Sequence, residues 1–239
     1  MPPFVEIDIY SDVVCPWCYI GKRKLEQALE SYDGDVTIRY RPFQLDPRPV
    51  DRPQPLLTAL AGKFGGPDRV GEIVARVTGA AAGAGLHLDF DSALSANTFD
   101  AHRLVWFADQ RGRAAEVIEA LYRAHFTQGV DIGSPDALAT VAAGAGLDEA
   151  EARAFLDSPT GTAEVRMDLA EARELGVSSV PTFVFAGKYA VTGAQDVDTL
   201  RGVLEEVRRR EAAEAALRPV GVPSAGDKAD GCTDDSCAV

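Results

Sequence analysis

The sequence predicts an α/β fold, with a β-α-β unit and a later β-β-α unit interrupted by a helical insertion and followed by a flexible C-terminal tail. Three observations carry this. Val5-Glu6-Ile7-Asp8-Ile9-Tyr10 alternates apolar and polar residues before a Ser11-Asp12 turn, as a half-buried strand does. Roughly residues 54 to 175 show helical patterns. Strand character then returns at Thr182-Phe183-Val184-Phe185.

After the first strand, Ile20, Leu25, Ala28, Leu29 and Tyr32 recur at helical spacing and Asp33-Gly34 closes the helix. Val36 to Phe43 reads as a second strand, and the proline-rich "DPRPVDRPQP" breaks the pattern. The insertion follows as "LLTALAGKF", "DRVGEIVARVTGAAAGAG", "ANTFDAHRLVWFADQRG", "AAEVIEALYRAHFTQG", a helix opened by Ser134-Pro135, "DEAEARAFLDS" and "GTAEVRMDLAEARELG". Gly187-Lys188 turns the chain into Tyr189-Ala190-Val191, and Asp196 to Arg210 forms a charged final helix. The domains expected are 1–50 with 176–212, an inserted 51–175, and a tail over 213–239 rich in Gly, Pro, Ser and Asp.

With 239 residues the chain can bury a sizeable core without disulfide staples, and four cysteines are too few for a disulfide scaffold. The net charge of −13 argues against a nucleic-acid surface. The opening "MPPFVEIDIYSD" lacks the regions of a signal peptide, and no run of about 18 apolar residues offers a membrane span. Cytoplasmic residence with reduced thiols is the expectation.

The cysteines form two pairs, Cys15 and Cys18 in "SDVVCPWCYIGK" and Cys232 and Cys237 in "DGCTDDSCAV". Cys15 stands where the first helix begins, with Pro16 at its first position. Unpaired N–H groups and the positive end of the dipole favour a thiolate at such a place. Cys18 lies one turn in, near enough to close a short disulfide. Lys22, Arg23 and Lys24 are candidates for added positive field, and Asp12 for an opposing one. Trp17, between the cysteines, is expected to be partly exposed and to meet apolar parts of a substrate. Val180-Pro181 in "GVSSVPTFVF" precedes a strand, and a cis bond there would turn the Val180 backbone toward a substrate chain. The alternatives are a structural pair, or a zinc site built from all four thiolates, against which the spacing of the second pair speaks.

Taken together, "SDVVCPWCYIGKRKLE", "NTFDAHRL" and "GVSSVPTFVF" resemble the DsbA-type branch of the thioredoxin-fold oxidoreductases, and within it the cytoplasmic FrnE-like proteins, over most of residues 5 to 210. The resemblance implies a thioredoxin-like fold, Cys15 as the exposed attacking thiol, Cys18 as the resolving thiol, and Pro16, Trp17, Val180 and Pro181 lining the substrate groove. The periplasmic oxidases of this branch carry histidine where this chain has Trp17, which implies a weaker oxidant here. Some FrnE-like proteins resemble this chain in a second pair near the C-terminus, which implies an electron-shuttle role for Cys232 and Cys237. Asp234 and Asp235 disfavour thiolates there, which suits resetting better than first attack. An idle tail is the alternative.

Asn97, Thr98, His102 and Arg103 form the most polar patch of the insertion. In glutathione-using relatives the insertion overhangs the site, so Asn97 and His102 are candidate ligand contacts, against plain helix capping. Trp106, Phe107, Tyr122 and Phe126 read as core. The function expected is thiol–disulfide exchange on protein thiols and disulfides, isomerisation included, with no cofactor or metal and with glutathione or another small thiol as a candidate co-substrate. A glutathione-dependent isomerase or transferase acting on a small aromatic molecule is the second expectation, and a zinc-binding or redox-sensing protein without turnover the third.

Overall fold

The computed structural model describes residues 4–217, so Cys232 and Cys237 lie outside the described residues. Its sheet has the order β2-β1-β3-β4, from β1 (Val5–Ser11), β2 (Val36–Pro42), β3 (Thr182–Phe185) and β4 (Tyr189–Thr192). β1 pairs in parallel with β2, Val5 opposite Val36, and antiparallel with β3, Ile7 opposite Phe185. The period of two in β1 explains its two faces. Val5, Ile7 and Ile9 are buried with Phe183 and Phe185 against Leu25 and Ala28 of α1 (Pro16–Leu29) and Leu200, Leu204 and Val207 of α9 (Val197–Leu217). Glu6 and Asp8 point to the other face, where Arg39 meets Glu6 at 2.6 Å and Arg41 meets Asp8 at 3.0 Å across the strand pair.

The insertion supplies α2 (Leu56–Phe64), α3 (Pro67–Gly83), α4 (Phe99–Asp109), α5 (Ala114–Thr127), α6 (Pro135–Gly144), α7 (Glu149–Asp157) and α8 (Thr162–Glu174). Ser134 caps α6 by accepting from the Ala137 amide, and Asp148 caps α7 by accepting from Glu151. Two expected boundaries move. α4 starts at Phe99, not at Ala96, and α9 runs on to Leu217 where a tail from 213 was expected. "EAAEAAL" is a run of strong helix formers, and Lys188 in the β3–β4 turn reaches Glu211 at 3.1 Å and Glu214 at 2.7 Å, pairings too distant in sequence to anticipate.

The insertion's core crosses into the β-α-β unit. Cys18, Tyr19 and Ile20 of α1 pack in one cluster with Leu104, Leu121, Tyr122 and Phe126, so α1 is shared between two cores. A polar clasp fixes the same seam: Glu119 of α5 accepts from the Tyr19 hydroxyl at 2.7 Å, from Lys22 at 2.6 Å and from Arg23 at 2.9 Å.

His125 of α5 is 0% exposed, and neither ring nitrogen has a hydrogen-bond partner among the described residues. Burial pushes it down from 6.5 to about 4, against a smaller upward pull from the Asp12 carboxylate. The unfolded chain therefore binds a proton between those values that the folded protein refuses. Its contribution to stability is complete above pH 6.5 and is lost as the pH falls toward 4, by on the order of 3 kcal/mol. Urea unfolding of the wild type and His125→Leu at pH 7 and 4.5 should show a shallower acid loss in the variant. Equal slopes would contradict the assignment.

Candidate active site

The strand-to-helix turn builds the dithiol. The Cys15 amide donates to Asp12 O at 3.0 Å, and Cys15 then takes the N-cap position of α1 in extended geometry, with Pro16 at the helix start. The Cys18 amide donates back to Cys15 O at 3.0 Å, which sets both free thiols on one turn. Facing them is the Val180-Pro181 bond, which is cis. The Cys15 thiol points at Val180 O, 3.8 Å away. Thr182 Oγ1 donates to Ser179 O and the Gly193 amide to Pro181 O, both at 2.7 Å, and these bonds hold the loop.

Gly21, one turn beyond Cys18, makes this approach possible. A Cβ there would stand 2.9 Å from Pro181 Cγ and 3.2 Å from the Phe183 ring. Glycine in a helix interior costs about 1 kcal/mol against alanine. That local misfit is the one sequence signal for Gly21.

Cys15 is 5% exposed and Cys18 1%, so the attacking thiol is less open than the resemblance implied, the cis-proline loop being seated over it. Burial, first, and then the hydrogen bond with and charge of the Cys15 sulfur push the Cys18 thiol well up. The Asp12 backbone N–H opposes this and the Asp12 carboxylate adds to it. Cys18 is thus a thiol, not a thiolate, at neutral pH.

The basic side chains that follow the dithiol are engaged away from the thiols. Lys22 and Arg23 are engaged with Glu26 and Glu119, and Lys24 donates to Ala194 O at 3.3 Å. Asp12 does face the site. It is 0% exposed, its Oδ2 accepts from the Leu45 amide at 2.8 Å, and its Oδ1 lies 3.4 Å from His102 Nε2, beyond ordinary hydrogen-bond length. Tyr122, read from sequence as packing, stacks on Tyr19 at 4.8 Å and also lies within the field of Cys18.

Pro16 and Trp17 are half-buried beside the thiols, and Trp17 packs on the insertion's core. Asn97 has its amide fully engaged. Its Nδ2 donates to Pro47 O at 3.2 Å and Arg48 O at 2.8 Å, and its Oδ1 accepts from the Phe99 amide at 3.0 Å. It clamps the proline-rich loop and opens α4, which is the capping alternative. His102 is buried, with Nε2 3.1 Å from Phe43 O. The Asn97 amide is thus taken up by the proline-rich loop and Phe99, and the Nε2 side of His102 by the Phe43 carbonyl, while the ring also lines a cleft with Arg39 and Arg41.

Paired thiols at a helix N-terminus under a cis-proline loop, on a four-stranded mixed sheet, define a thiol–disulfide oxidoreductase of thioredoxin fold. A family model described as DSBA-like thioredoxin domain matches residues 6–205, and the chain belongs to that family. A probable DsbA oxidoreductase from Streptomyces coelicolor is similar in structure, with a TM-score of 0.80 and 35% identity, over 98% of this chain and 99% of that one. The protein YwbO of Bacillus subtilis is 26% identical over 87% of this chain and 99% of its own length. The fold is also similar to a 2-hydroxychromene-2-carboxylate isomerase, with a TM-score of 0.65 and 19% identity, over 87% of this chain and 98% of that one. Among the described residues no helix is long and apolar enough to cross a membrane.

Proposed function

We propose that the protein exchanges thiols and disulfides of protein substrates through Cys15 and Cys18. The observation that carries this is the pairing of an N-cap thiol under Val180 O with a buried neighbour held protonated. In the oxidising direction a substrate thiolate attacks Cys15 of the Cys15–Cys18 disulfide, and the electron pair of the broken bond passes to Cys18, which takes a proton. A second substrate thiolate then attacks the substrate sulfur of the mixed disulfide. The substrate leaves oxidised and Cys15 leaves reduced. In the reducing direction Cys15 attacks a substrate disulfide and expels one substrate thiolate. Cys18 then loses its proton and attacks Cys15, expelling the second. Running both directions on one substrate is isomerisation. The backbone beside Val180 and Pro181 suits an extended substrate segment paired in strand fashion, with Trp17 against its apolar side chains.

The pair Cys232 and Cys237 serves in this proposal as the shuttle that resets the dithiol, and chain length permits it. α9 starts beside Ala194, which approaches Gly21, and its far end pairs with Lys188 in the β3–β4 turn, at the other end of those strands. At about 1.5 Å per residue that places Leu217 roughly 30 Å from the dithiol. Fifteen residue steps to Cys232 span at most about 50 Å, which covers the gap with slack, so tethering raises the local thiol concentration. A cytoplasmic setting with glutathione or another small thiol as final reductant is part of the same proposal.

Mixing the oxidised protein with a stoichiometric reduced dithiol peptide, alkylating at successive times and mapping the cysteines by mass tests it. Cys15–Cys18 should open first and Cys232–Cys237 change in step. A tail pair that never changes removes the shuttle. No exchange at Cys15 and Cys18, with glutathione-dependent turnover of a small aromatic substrate instead, replaces the oxidoreductase function with an isomerase.

A further inference from the structure

We propose that segment 218–223 docks on the open half of the sheet and so carries the Cys232 and Cys237 pair toward the dithiol. This rests on the shuttle reading above and deepens it. On the face opposite Phe183 and Phe185, two cross-strand rows floor a cleft of ≈ 390 Å³. One row is Tyr10, Thr182 and Thr192, and the other is Asp8, Val184 and Ala190. Leu175, 63% exposed just past α8, and Val177 add an apolar wall. Ala190 and Thr192 are exposed on the floor. Tyr10 is 4% exposed, yet its hydroxyl bonds no group among the described residues. A docked backbone would supply the partner that this hydroxyl lacks.

The two ends of the cleft point to this occupant. At one end stand Gly187 and Lys188 of the β3–β4 turn. Lys188 binds Glu211 and Glu214 in the last turns of α9, so the chain leaves Leu217 beside the cleft. At the other end stand Ser178 and Ser179, which run into the cis Val180-Pro181 bond over Cys15. Segment 218–223 reads "RPVGVP". Its prolines oppose helix, and Val220 and Val222, two apart, share one side of an extended chain. Six residues in that form span roughly 19 Å. The four residues of β3 run about 14 Å, so the segment is long enough to cross the floor from the turn to the loop.

Docking shortens the reach that the shuttle needs. Fifteen residue steps from Leu217 to Cys232, left free, have a root-mean-square span of about 21 Å. That falls short of the roughly 30 Å to the dithiol. With Pro223 held behind the cis-proline loop, the nine steps left to Cys232 span about 16 Å and start beside their target. The exchange balances. The Cys15 thiolate attacks one sulfur of a Cys232–Cys237 disulfide, and the other leaves as a thiolate. Cys18 then attacks Cys15 and expels the second tail sulfur, and the Cys18 proton ends on the tail. Two electrons pass to the tail pair, and the reverse runs through the same bonds.

Two measurements on the full chain separate docking from shuttling. The first uses a background of Cys15→Ala, Cys18→Ala, Cys232→Ala and Cys237→Ala. There Ala190→Cys with Val220→Cys puts one thiol on the cleft floor. Arg209→Cys with Val220→Cys puts it instead on exposed α9 surface, about 12 Å from Leu217. Under diamide the Ala190 pair should close within one chain about 10-fold faster than the Arg209 pair, and Val222→Asp should remove the difference. The second is the alkylation time course with native cysteines. Val220→Asp with Val222→Asp should slow the change at Cys232 and Cys237 about 10-fold and leave the opening of Cys15–Cys18 by the peptide unchanged. Equal closure of the two pairs would overturn docking. An Ala190 cross-link between two chains would overturn it too, giving the face to a second copy, as would an unslowed tail pair in the doubly substituted chain. Fast closure of the Ala190 pair beside a tail pair that never changes would keep docking and remove the shuttle.

Discussion

Cys15→Ala should reduce thiol–disulfide exchange by this protein to the uncatalysed background, and Cys18→Ser should not restore it in combination. The asymmetry follows from environment. Cys15 occupies the N-cap of α1, where the first-turn N–H groups have no intrahelical partners, and its sulfur is the one that faces the cis-proline loop. Cys18 lies deeper, and burial pushes its thiol up, so at neutral pH few Cys18 thiolates exist to attack. Loss of Cys15 therefore removes the attacking group, and no second cysteine among the described residues can replace it. Insulin-reduction or dithiol-peptide oxidation assays check this directly. A Cys15→Ala protein with more than a few per cent of wild-type turnover would mean that Cys18 or the second pair makes the first attack.

Arg103→Ala is expected to cost about 3–5 kcal/mol, a large part of the roughly 5–15 kcal/mol that holds an ordinary domain folded. Arg103 is 4% exposed, and its fork is fully used. Nε donates to Thr160 O at 3.1 Å, and Nη1 reaches Asp100 at 2.8 Å and Leu156 O at 3.3 Å. Nη2 meets Phe155 O at 3.2 Å, Thr160 O at 2.8 Å and Ser158 O. These carbonyls lie at the end of α7 and in the turn to α8, where the last turn of a helix leaves acceptors short of intrahelical partners; Phe155 O also accepts from the Ser158 amide at 3.1 Å. The guanidinium also lies 5.1 Å over the Phe155 ring. Arg103→Lys should recover little, because a single ammonium cannot serve four separated carbonyls. Denaturant unfolding measures both variants, and a loss under 1 kcal/mol for Arg103→Ala would show that the α7–α8 turn holds without it.

Legibility in the sequence tracked locality. The alternation of Val5 to Tyr10 and the Ser134-Pro135 and Asp148 starts are written in neighbouring residues, and the elements formed where they said. The dithiol was legible for the same reason: four consecutive residues place both sulfurs on one turn. What escaped depends on partners far along the chain. Gly21 has its reason in Pro181, and Lys22, offered as a charge for the thiols, has its partner in Glu119. Arg103 read only as part of a polar patch because its acceptors, backbone carbonyls more than fifty positions away, carry no residue-type signature. Asp12 was seen as a charge next to the cysteines. Its burial and its place opposite His102 emerge only when α4 brings His102 to it, 90 positions along the chain.

The central claim is that Cys15 attacks and Cys18 resolves, and a trapping measurement tests it most directly. Reduced Cys18→Ala protein would be mixed with a peptide disulfide, quenched with acid and digested without reductant, and the covalent adduct located by mass spectrometry. The predicted result is a stable mixed disulfide on Cys15 in this variant, absent in Cys15→Ala and short-lived in the wild type. An adduct that forms equally well on Cys18 in Cys15→Ala, or none on Cys15 in Cys18→Ala, would contradict it.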